Sequence, residues 1–92
     1  MKLTTTKKMV SELNKAIPEY HFSLDLINTG WFADDRDYDY KTGKTKVISV
    51  WYPAEYYALP KQLSTKDLEY SYKRSNRTWD GFIQSLRQDI EI

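Results

Sequence analysis

The sequence contains no cysteine and a single histidine, His21, among its 92 residues. The missing cysteines exclude disulfide bonds, thiolate catalysis and cysteine-ligated zinc, and one histidine excludes sites that need several imidazoles. The three glycines, Gly30, Gly43 and Gly81, are isolated from one another, so the sequence has no glycine-rich phosphate loop. We therefore predict a protein without a metal or a cofactor.

Long hydrophobic runs and an excess of one charge are also missing. No stretch approaches the roughly 18 apolar residues of a membrane span, and the basic residues near the start precede no apolar signal segment. The expectation is a soluble, cytoplasmic protein without membrane contact. The 14 Lys and Arg residues nearly balance the 13 Asp and Glu residues, which argues against a dedicated nucleic-acid coat but leaves local basic patches open.

The length predicts one small domain over residues 1–92. Ordinary domains have about 100–200 residues, and a chain of this size buries only roughly 60–65% of its unfolded surface. The resulting core is thin and has little room for an enclosed active site. Because catalytic motifs are also missing, we predict a protein that is not an enzyme.

Helical spacing of apolar residues predicts a helix at the start of an α+β fold. The apolar residues recur from Met9 to Ile17, and Pro18 ends the helix. Thr5 or Thr6 is the expected cap.

Alternation of apolar and polar residues predicts a three-stranded antiparallel meander in the middle of the chain. The first strand covers Tyr20–Ile27, and a hairpin follows over Tyr38–Tyr52 with Thr42–Lys44 as a three-residue loop, in which Gly43 is left-handed. With that loop, one face of the hairpin belongs to the core: Tyr38, Tyr40, Ile48, Val50 and Tyr52. The opposite face is expected in solvent: Asp35, Asp37, Asp39, Val47, Ser49 and Trp51.

The C-terminal third predicts one helix or a pair of helices. Ser64 and Asp67 have the spacing of a capping box, and apolar residues continue at helical spacing across the polar stretch 73–77. One helix over 65–89 and two helices with Thr78 as the second cap both fit, and the polar stretch slightly favours two. The helices are expected on one face of the sheet. The predicted core is Val10, Leu13, Ile17, Phe22, Leu24, Leu26, Ile48, Val50, Leu68, Tyr72, Trp79, Phe82, Leu86 and Ile90.

The acidic run Asp34–Asp39 is the first candidate site. In an extended chain Asp35, Asp37 and Asp39 point the same way, about 6.5–7 Å apart. A weak cation site, a solvated strand edge and an acidic patch that docks on a basic partner are the three interpretations. The pattern of a calcium loop fails after its opening, because Tyr40 stands where glycine is needed.

The basic residues Lys73, Arg74 and Arg77 are the second candidate site. Arg74 and Arg77 are one helical turn apart and can both reach phosphate oxygens. Three acidic residues are close enough along the chain to pair with them: Asp67, Glu69 and Asp80. A salt-bridged exposed helix face is the commoner reason for such a pattern, so nucleic-acid binding is the alternative function.

His21, Ser23 and Asp25 share the polar side of the first strand and match the composition of a catalytic triad. Side chains on one face of a strand are about 7 Å apart, which predicts no direct hydrogen bond between them. No nucleophile elbow accompanies them. An ordinary half-exposed strand histidine is the interpretation.

Aromatic residues make up 15% of the chain, and eight of them are tyrosines. A thin core filled with large side chains and an aromatic contact surface both explain this content. Five aromatic residues surround the hairpin and its exit: Tyr38, Tyr40, Trp51, Tyr56 and Tyr57. With the acidic residues Asp34, Asp35, Asp37 and Asp39, they predict a protein-binding surface, which could also serve a homodimer. Whether Trp51 is exposed or covered by the following segment stays open.

The profile as a whole is short, free of cysteine and rich in Tyr, Lys and Asp. In this it is similar in kind to small proteins encoded by bacterial phages and mobile elements. Some of those, such as inhibitors of CRISPR nucleases, act by occupying the binding surface of a larger protein. The likeness implies a similar mode of action and concerns composition, not particular residues.

Overall fold

The computed structural model describes residues 3–28, 35–53 and 59–91. Within these ranges the helices are α1 (Lys7–Ala16), α2 (Thr65–Arg74) and α3 (Trp79–Ile90), and a short 3₁₀ turn covers Asp35–Asp37. The strands are β1 (His21–Asn28), β2 (Tyr38–Asp39), β3 (Lys44–Trp51) and β4 (Lys61–Leu63). The predicted α+β class, with an N-terminal helix, an antiparallel sheet and two C-terminal helices, is confirmed.

The strand β3 is the centre of the sheet. The strand β1 pairs with it along one side, from His21 opposite Trp51 to Asn28 opposite Lys44. On the other side β2 pairs with the beginning of β3 and β4 with its end. The order β1-β3-β2 therefore differs from a meander, and β4 lies in a segment for which the sequence shows no clean period.

Local caps begin all three helices at the predicted positions. The Thr6 hydroxyl accepts the Met9 N–H at 3.1 Å and begins α1. Ser64 and Asp67 form the expected capping box of α2. The Thr78 hydroxyl accepts the N–H of Gly81 at 3.1 Å and begins α3, which confirms that the C-terminal third forms two helices.

The turn between α2 and α3 is closed by backbone hydrogen bonds. Asn76 and Arg77 both have a left-handed φ of 59°, and the Arg77 N–H donates to the Tyr72 carbonyl at 3.2 Å. This bond corresponds to the longer of the two bonds of a Schellman motif, and Asn76 occupies the left-handed position that glycine usually takes there. Gly81 is required beside the turn, because a Cβ there would lie 2.6 Å from the carbonyl oxygen of Ser75.

The core lies between the helices and one face of the sheet. Its buried side chains are Leu3, Met9, Leu13, Ile17, Phe22, Ile48, Val50, Leu63, Leu68, Phe82, Leu86 and Ile90. Half-buried Val10, Leu24, Tyr72 and Trp79 pack against them. The predicted core residue Leu26 is instead 51% exposed, because it lies at the end of the sheet where its neighbour across the ladder, Lys46, is exposed as well.

The register of the hairpin differs from the predicted one. Tyr38 pairs with Thr45 and Asp39 with Lys44, so the loop has four residues, Tyr40–Gly43, rather than three. The Asp39 carboxylate accepts the Lys41 N–H at 2.9 Å, and Gly43, with a φ of 70°, closes the loop. A register shift by an odd number of residues exchanges the two faces of a strand. Tyr38 therefore faces away from the helices, not toward the core.

We call the face of the sheet opposite the helices the outer face. It carries His21, Ser23, Asp25, Ile27, Tyr38, Thr45, Val47, Ser49 and Trp51. Val47 and Ser49 are buried, which corrects their expected exposure to solvent. Both lie on the central strand, where Ser23 and Gln62 of the neighbouring strands flank Ser49 on its two sides.

Candidate interaction surface

Asp37 is buried, with an exposed fraction of 1%. Its carboxylate accepts the Thr5 hydroxyl at 2.8 Å, the Thr65 hydroxyl at 2.5 Å and the Thr65 backbone N–H at 2.9 Å. Thr65 is the first residue of α2, so the carboxylate also lies at the positive end of the helix dipole. The 3₁₀ turn thus directs this side chain inward, not along a common side with Asp35 and Asp39. The prediction that Asp37 contacts a partner is corrected, since its oxygens are already used within the protein.

Asp35 and Asp39 are the described acidic residues of the run that remain accessible. The hydrogen bond from the Lys41 N–H, with smaller contributions from the Thr42 hydroxyl and N–H and the charge of Lys46, lowers the pKa of Asp39 below its ordinary value. From Asp35 to Lys46, three aspartates stand against one arginine and three lysines. The hairpin is therefore not an acidic patch, because its lysines offset the run of aspartates.

The hairpin presents an exposed aromatic pair. Tyr40 is 76% exposed, and its ring lies edge-to-face against Tyr38 with the centroids 4.8 Å apart. This geometry is one of the favourable arrangements of two aromatic rings. The pair gives the loop end of the sheet a large amphipathic contact area.

Trp51 lies at the other end of the outer face and is 40% exposed. Its indole Nε1 donates to the Ser23 hydroxyl at 2.9 Å, and that hydroxyl donates to the Asp25 carboxylate at 3.1 Å. The bond between Ser23 and Asp25 contradicts the expectation that neighbours on one strand face stay out of reach. These two hydrogen bonds, which we call the Trp51–Ser23–Asp25 row, hold Trp51 in a fixed orientation. Asp25 remains half-exposed at the end of the row.

The aromatic residues of the candidate surface do not form one cluster. Tyr38 lies opposite Thr45, six residues from Trp51 along β3, which corresponds to about 20 Å. Buried Val47 and Ser49 lie between them. Within the described chain, the hydroxyls of Thr45 and Ser49 have no hydrogen-bond partner. The surface therefore has two separate aromatic ends, connected by the outer face.

Three of the predicted partner-binding residues, Asp34, Tyr56 and Tyr57, lie outside the described residues. Part of the segment that is the candidate cover for Trp51, residues 54–58, also lies outside the described residues.

The basic candidate patch is divided by the pairing of α2 with α3. Arg74 donates to Asp89 at 2.6 Å and to Ser85 at 2.7 Å, and it stacks over the ring of Tyr70. Its acidic partner is therefore Asp89 rather than any of the three residues expected to pair with the patch: Asp67, Glu69 and Asp80. Lys73 and Arg77 are exposed, and neither forms an ion pair within the described chain.

Asp89 is the centre of this second network. Burial raises its pKa, but hydrogen bonds from Arg74 and Ser71 outweigh that effect, and the pKa of Asp89 lies below its ordinary value. Its backbone carbonyl also accepts Lys61 Nζ at 2.7 Å. A cleft of about 280 Å³ adjoins the network between β4, α2 and α3. These contacts fasten β4 to the helix pair, which is a structural role.

No group of three or more His, Asp or Glu side chains suited to hold a metal ion occurs in residues 3–28, 35–53 and 59–91. Across the same ranges, no helix has the length and apolar character to cross a membrane. Comparison of the chain with protein-family models, with curated proteins and with solved structures finds no match.

Proposed function

We propose that this protein is a non-enzymatic interaction module that binds the surface of a larger protein through the outer face of its sheet. The observation that carries the proposal is the exposure of Tyr40 and Trp51 at the two ends of that face. Tyrosine and tryptophan are the residues that most often dominate binding energy at protein interfaces. Trp51 is also preoriented by Ser23, so it loses little side-chain freedom on binding.

The polar surroundings of these aromatic residues support an interface of mixed charge. Asp25 stands beside Trp51, and Asp39 lies next to Lys41 and Lys44 near Tyr40. Mixed charges of this kind set orientation and association rate more than affinity. Competition with nucleic acid by a row of carboxylates is a weaker variant of the proposal, because Asp37 is buried.

Nucleic-acid binding through α2 is less favoured. Arg74 is held by Asp89, which leaves Lys73 and Arg77 as the exposed cations of that patch. A gel-shift titration with single-stranded and duplex DNA at two salt concentrations tests it, since binding through phosphates weakens steeply with salt. A shift that is lost at higher salt and in Lys73→Ala/Arg77→Ala would establish the alternative.

The proposal is tested by affinity capture from an extract of the native host, with quantitative mass spectrometry. Wild-type protein is compared with Tyr40→Ala/Trp51→Ala and with the control Tyr70→Ala, which removes a 61% exposed tyrosine from the helix side. We expect a protein that wild type and Tyr70→Ala retain and the double variant loses.

Purified candidate partners are then titrated against the same three proteins. Truncation of a single hot-spot side chain to alanine weakens binding by about 2 kcal/mol or more. The double variant should therefore bind the partner at least about 30-fold more weakly. Equal binding by all three proteins contradicts the proposed surface. A dimer seen by light scattering that Tyr40→Ala/Trp51→Ala dissociates would instead assign the surface to self-association.

A further inference from the structure

The edge of β1 that faces away from β3 carries backbone N–H and C=O groups, and part of this edge has no hydrogen-bond partner in the described chain. The strand pairs with β3 along one side, and the other side faces no strand of the described chain. At the beginning of this edge, the Asn14 amide donates to the Phe22 carbonyl at 3.0 Å and accepts the Phe22 N–H at 2.8 Å. The side chain of Asn14 thus occupies the place of a neighbouring strand at that one position.

Beyond Phe22, no strand of the described residues pairs with this edge. In an antiparallel ladder the backbone groups of alternate residues point to the same side, so those of Leu24, Leu26 and Asn28 point outward as Phe22 does. None of these three residues has an outward backbone hydrogen bond within residues 3–28, 35–53 and 59–91. The open stretch covers five residues, or about 14 Å. An extended chain of that length fits it.

The side chains along the open stretch differ on the two faces. Leu24 is half-buried and Leu26 is 51% exposed, both on the helix side. Asp25 is on the outer face, where the row from Trp51 through Ser23 orients its carboxylate. A strand added here would meet two apolar side chains on one face and one carboxylate on the other.

A second copy of β1 does not satisfy that pattern. If Leu24 opposes Leu26 of the copy, Asp25 faces the same carboxylate, and like charges directly opposite are destabilising. If Leu26 opposes Leu26 of the copy, Asp25 lies opposite Ile27 of the copy, and no basic residue pairs with it. Charge complementarity therefore favours a different chain with a basic residue between two apolar ones.

We propose that the open edge of β1 binds an extended segment of the partner protein by strand addition, with apolar side chains against Leu24 and Leu26 and a Lys or Arg against Asp25. This rests on the proposed function, since the segment belongs to the same partner protein and adds to the edge beside the outer face. Main-chain hydrogen bonds supply affinity in this mode, and alternate side chains supply specificity. Trp51, through Ser23, then orients the carboxylate that meets the basic residue.

The test uses the whole protein labelled with ¹⁵N and two synthetic peptides, acetyl-Thr-Val-Lys-Val-Thr-amide and its Glu analogue. Each peptide is palindromic, so both chain directions present the same side chains. We expect the Lys peptide to shift the amide resonances of Leu24, Leu26 and Asn28 and to slow the exchange of their amide protons. A cross-strand charge pair contributes about two- to fivefold in affinity, so the Glu peptide should bind more weakly by at least that factor.

Two variants complete the design. Asp25→Lys should reverse the preference between the two peptides. Leu26→Pro removes one outward N–H and no ladder bond to β3, and it should abolish the shifts while the remaining spectrum stays that of a folded protein.

Shifts that are equal for the two peptides, or that lie away from the β1 edge, overturn this inference. Absence of any shift at millimolar peptide does so as well, and so does a β1-mediated dimer that Leu26→Pro dissociates. The peptide titration and the capture experiment fail separately. If the peptide causes no shifts, partner capture can still depend on Tyr40 and Trp51. If capture does not depend on Tyr40 and Trp51, the peptide can still shift the β1 resonances.

Discussion

The helix pair α2–α3 and the hairpin β2–β3 are both chain reversals, but contacts of very different range hold them. In the helix pair, Ser71 and Arg74 bond to Asp89 across 18 and 15 residues, and the Thr78 cap spans only three. The hairpin is anchored by Asp37, which bonds to Thr5 and Thr65 across 32 and 28 residues. The contacts of the first reversal therefore stay within the C-terminal third of the chain, whereas the second reversal is anchored by residues from two other parts of the fold.

The largest expected effect is that of removing the long-range anchor of the hairpin. Asp37→Ala leaves the hydroxyls of Thr5 and Thr65 and one backbone N–H without their acceptor inside the protein. Unsatisfied buried polar groups each cost about 1–3 kcal/mol, so we expect the free energy of unfolding to fall by about 3 kcal/mol or more in urea titrations.

The matched control is Asp35→Ala, two residues earlier and exposed. It should change the free energy of unfolding by less than about 0.5 kcal/mol. Equal effects of the two variants would show that the inward position of Asp37 does not anchor the hairpin.

The helix pair is best broken at Gly81. An added Cβ would lie 2.6 Å from the Ser75 carbonyl oxygen and 2.7 Å from the Thr78 hydroxyl. Alanine gains up to about 1 kcal/mol in helix propensity, but overpacking costs typically about 1–3 kcal/mol. We therefore expect Gly81→Ala to lower the melting temperature by several degrees, whereas a rise would mean that the turn yields easily.

Removing a cap should have a smaller effect. Thr78→Ala deletes the acceptor of the Gly81 N–H, and loss of such a cap costs about 1 kcal/mol. Thr42→Ala is the comparison in the hairpin, where the hydroxyl accepts the Lys44 N–H at 3.3 Å in an exposed loop. Urea unfolding should show a change below about 0.5 kcal/mol for Thr42→Ala, and the reverse order would contradict the local anchoring of α3.

Protonation of Asp89 at low pH should lower the free energy of unfolding by less than any of the destabilising substitutions above. The pKa of Asp89 is lowered in the folded protein, so its stabilising contribution is complete above its ordinary pKa of 3.8 and is lost as the pH falls through the lower folded value. Because the pair with Arg74 is partly exposed, the contribution is under about 1 kcal/mol. Asp89→Asn should show a smaller decline in stability than wild type between pH 5 and pH 2, and an unchanged decline would exclude this role.

The candidate surface illustrates which features were predictable. The aromatic excess around the hairpin predicts Tyr40 and Trp51 as contact residues, and this stays a prediction. The expected place of Tyr40 on the core face is wrong, because Tyr40 lies in the loop and is 76% exposed. The position of Asp37 does not, since a run of aspartates gives no sign that one of them faces Thr5 and Thr65. The open edge at Leu26 was also hidden, because the same alternation that predicts a strand places this leucine in the core.

The sequence by itself determined the elements whose signals are local: the caps at Thr6, Ser64 and Thr78, the left-handed Gly43, the two C-terminal helices and the first strand. The caps depend on side chains that bond to backbone groups a few residues away, Gly43 on the freedom of glycine to adopt a positive φ, and the strand and helices on the period of their apolar residues. The tertiary structure decided the register of β2 against β3, the inward turn of Asp37 and the place of β4. Asp37 bonds to Thr65 across 28 residues, and β4 pairs with β3 across 11–15 residues. The β2 register joins residues only five to seven apart, but β2 directly follows Asp37, which only the packed fold brings to its partners.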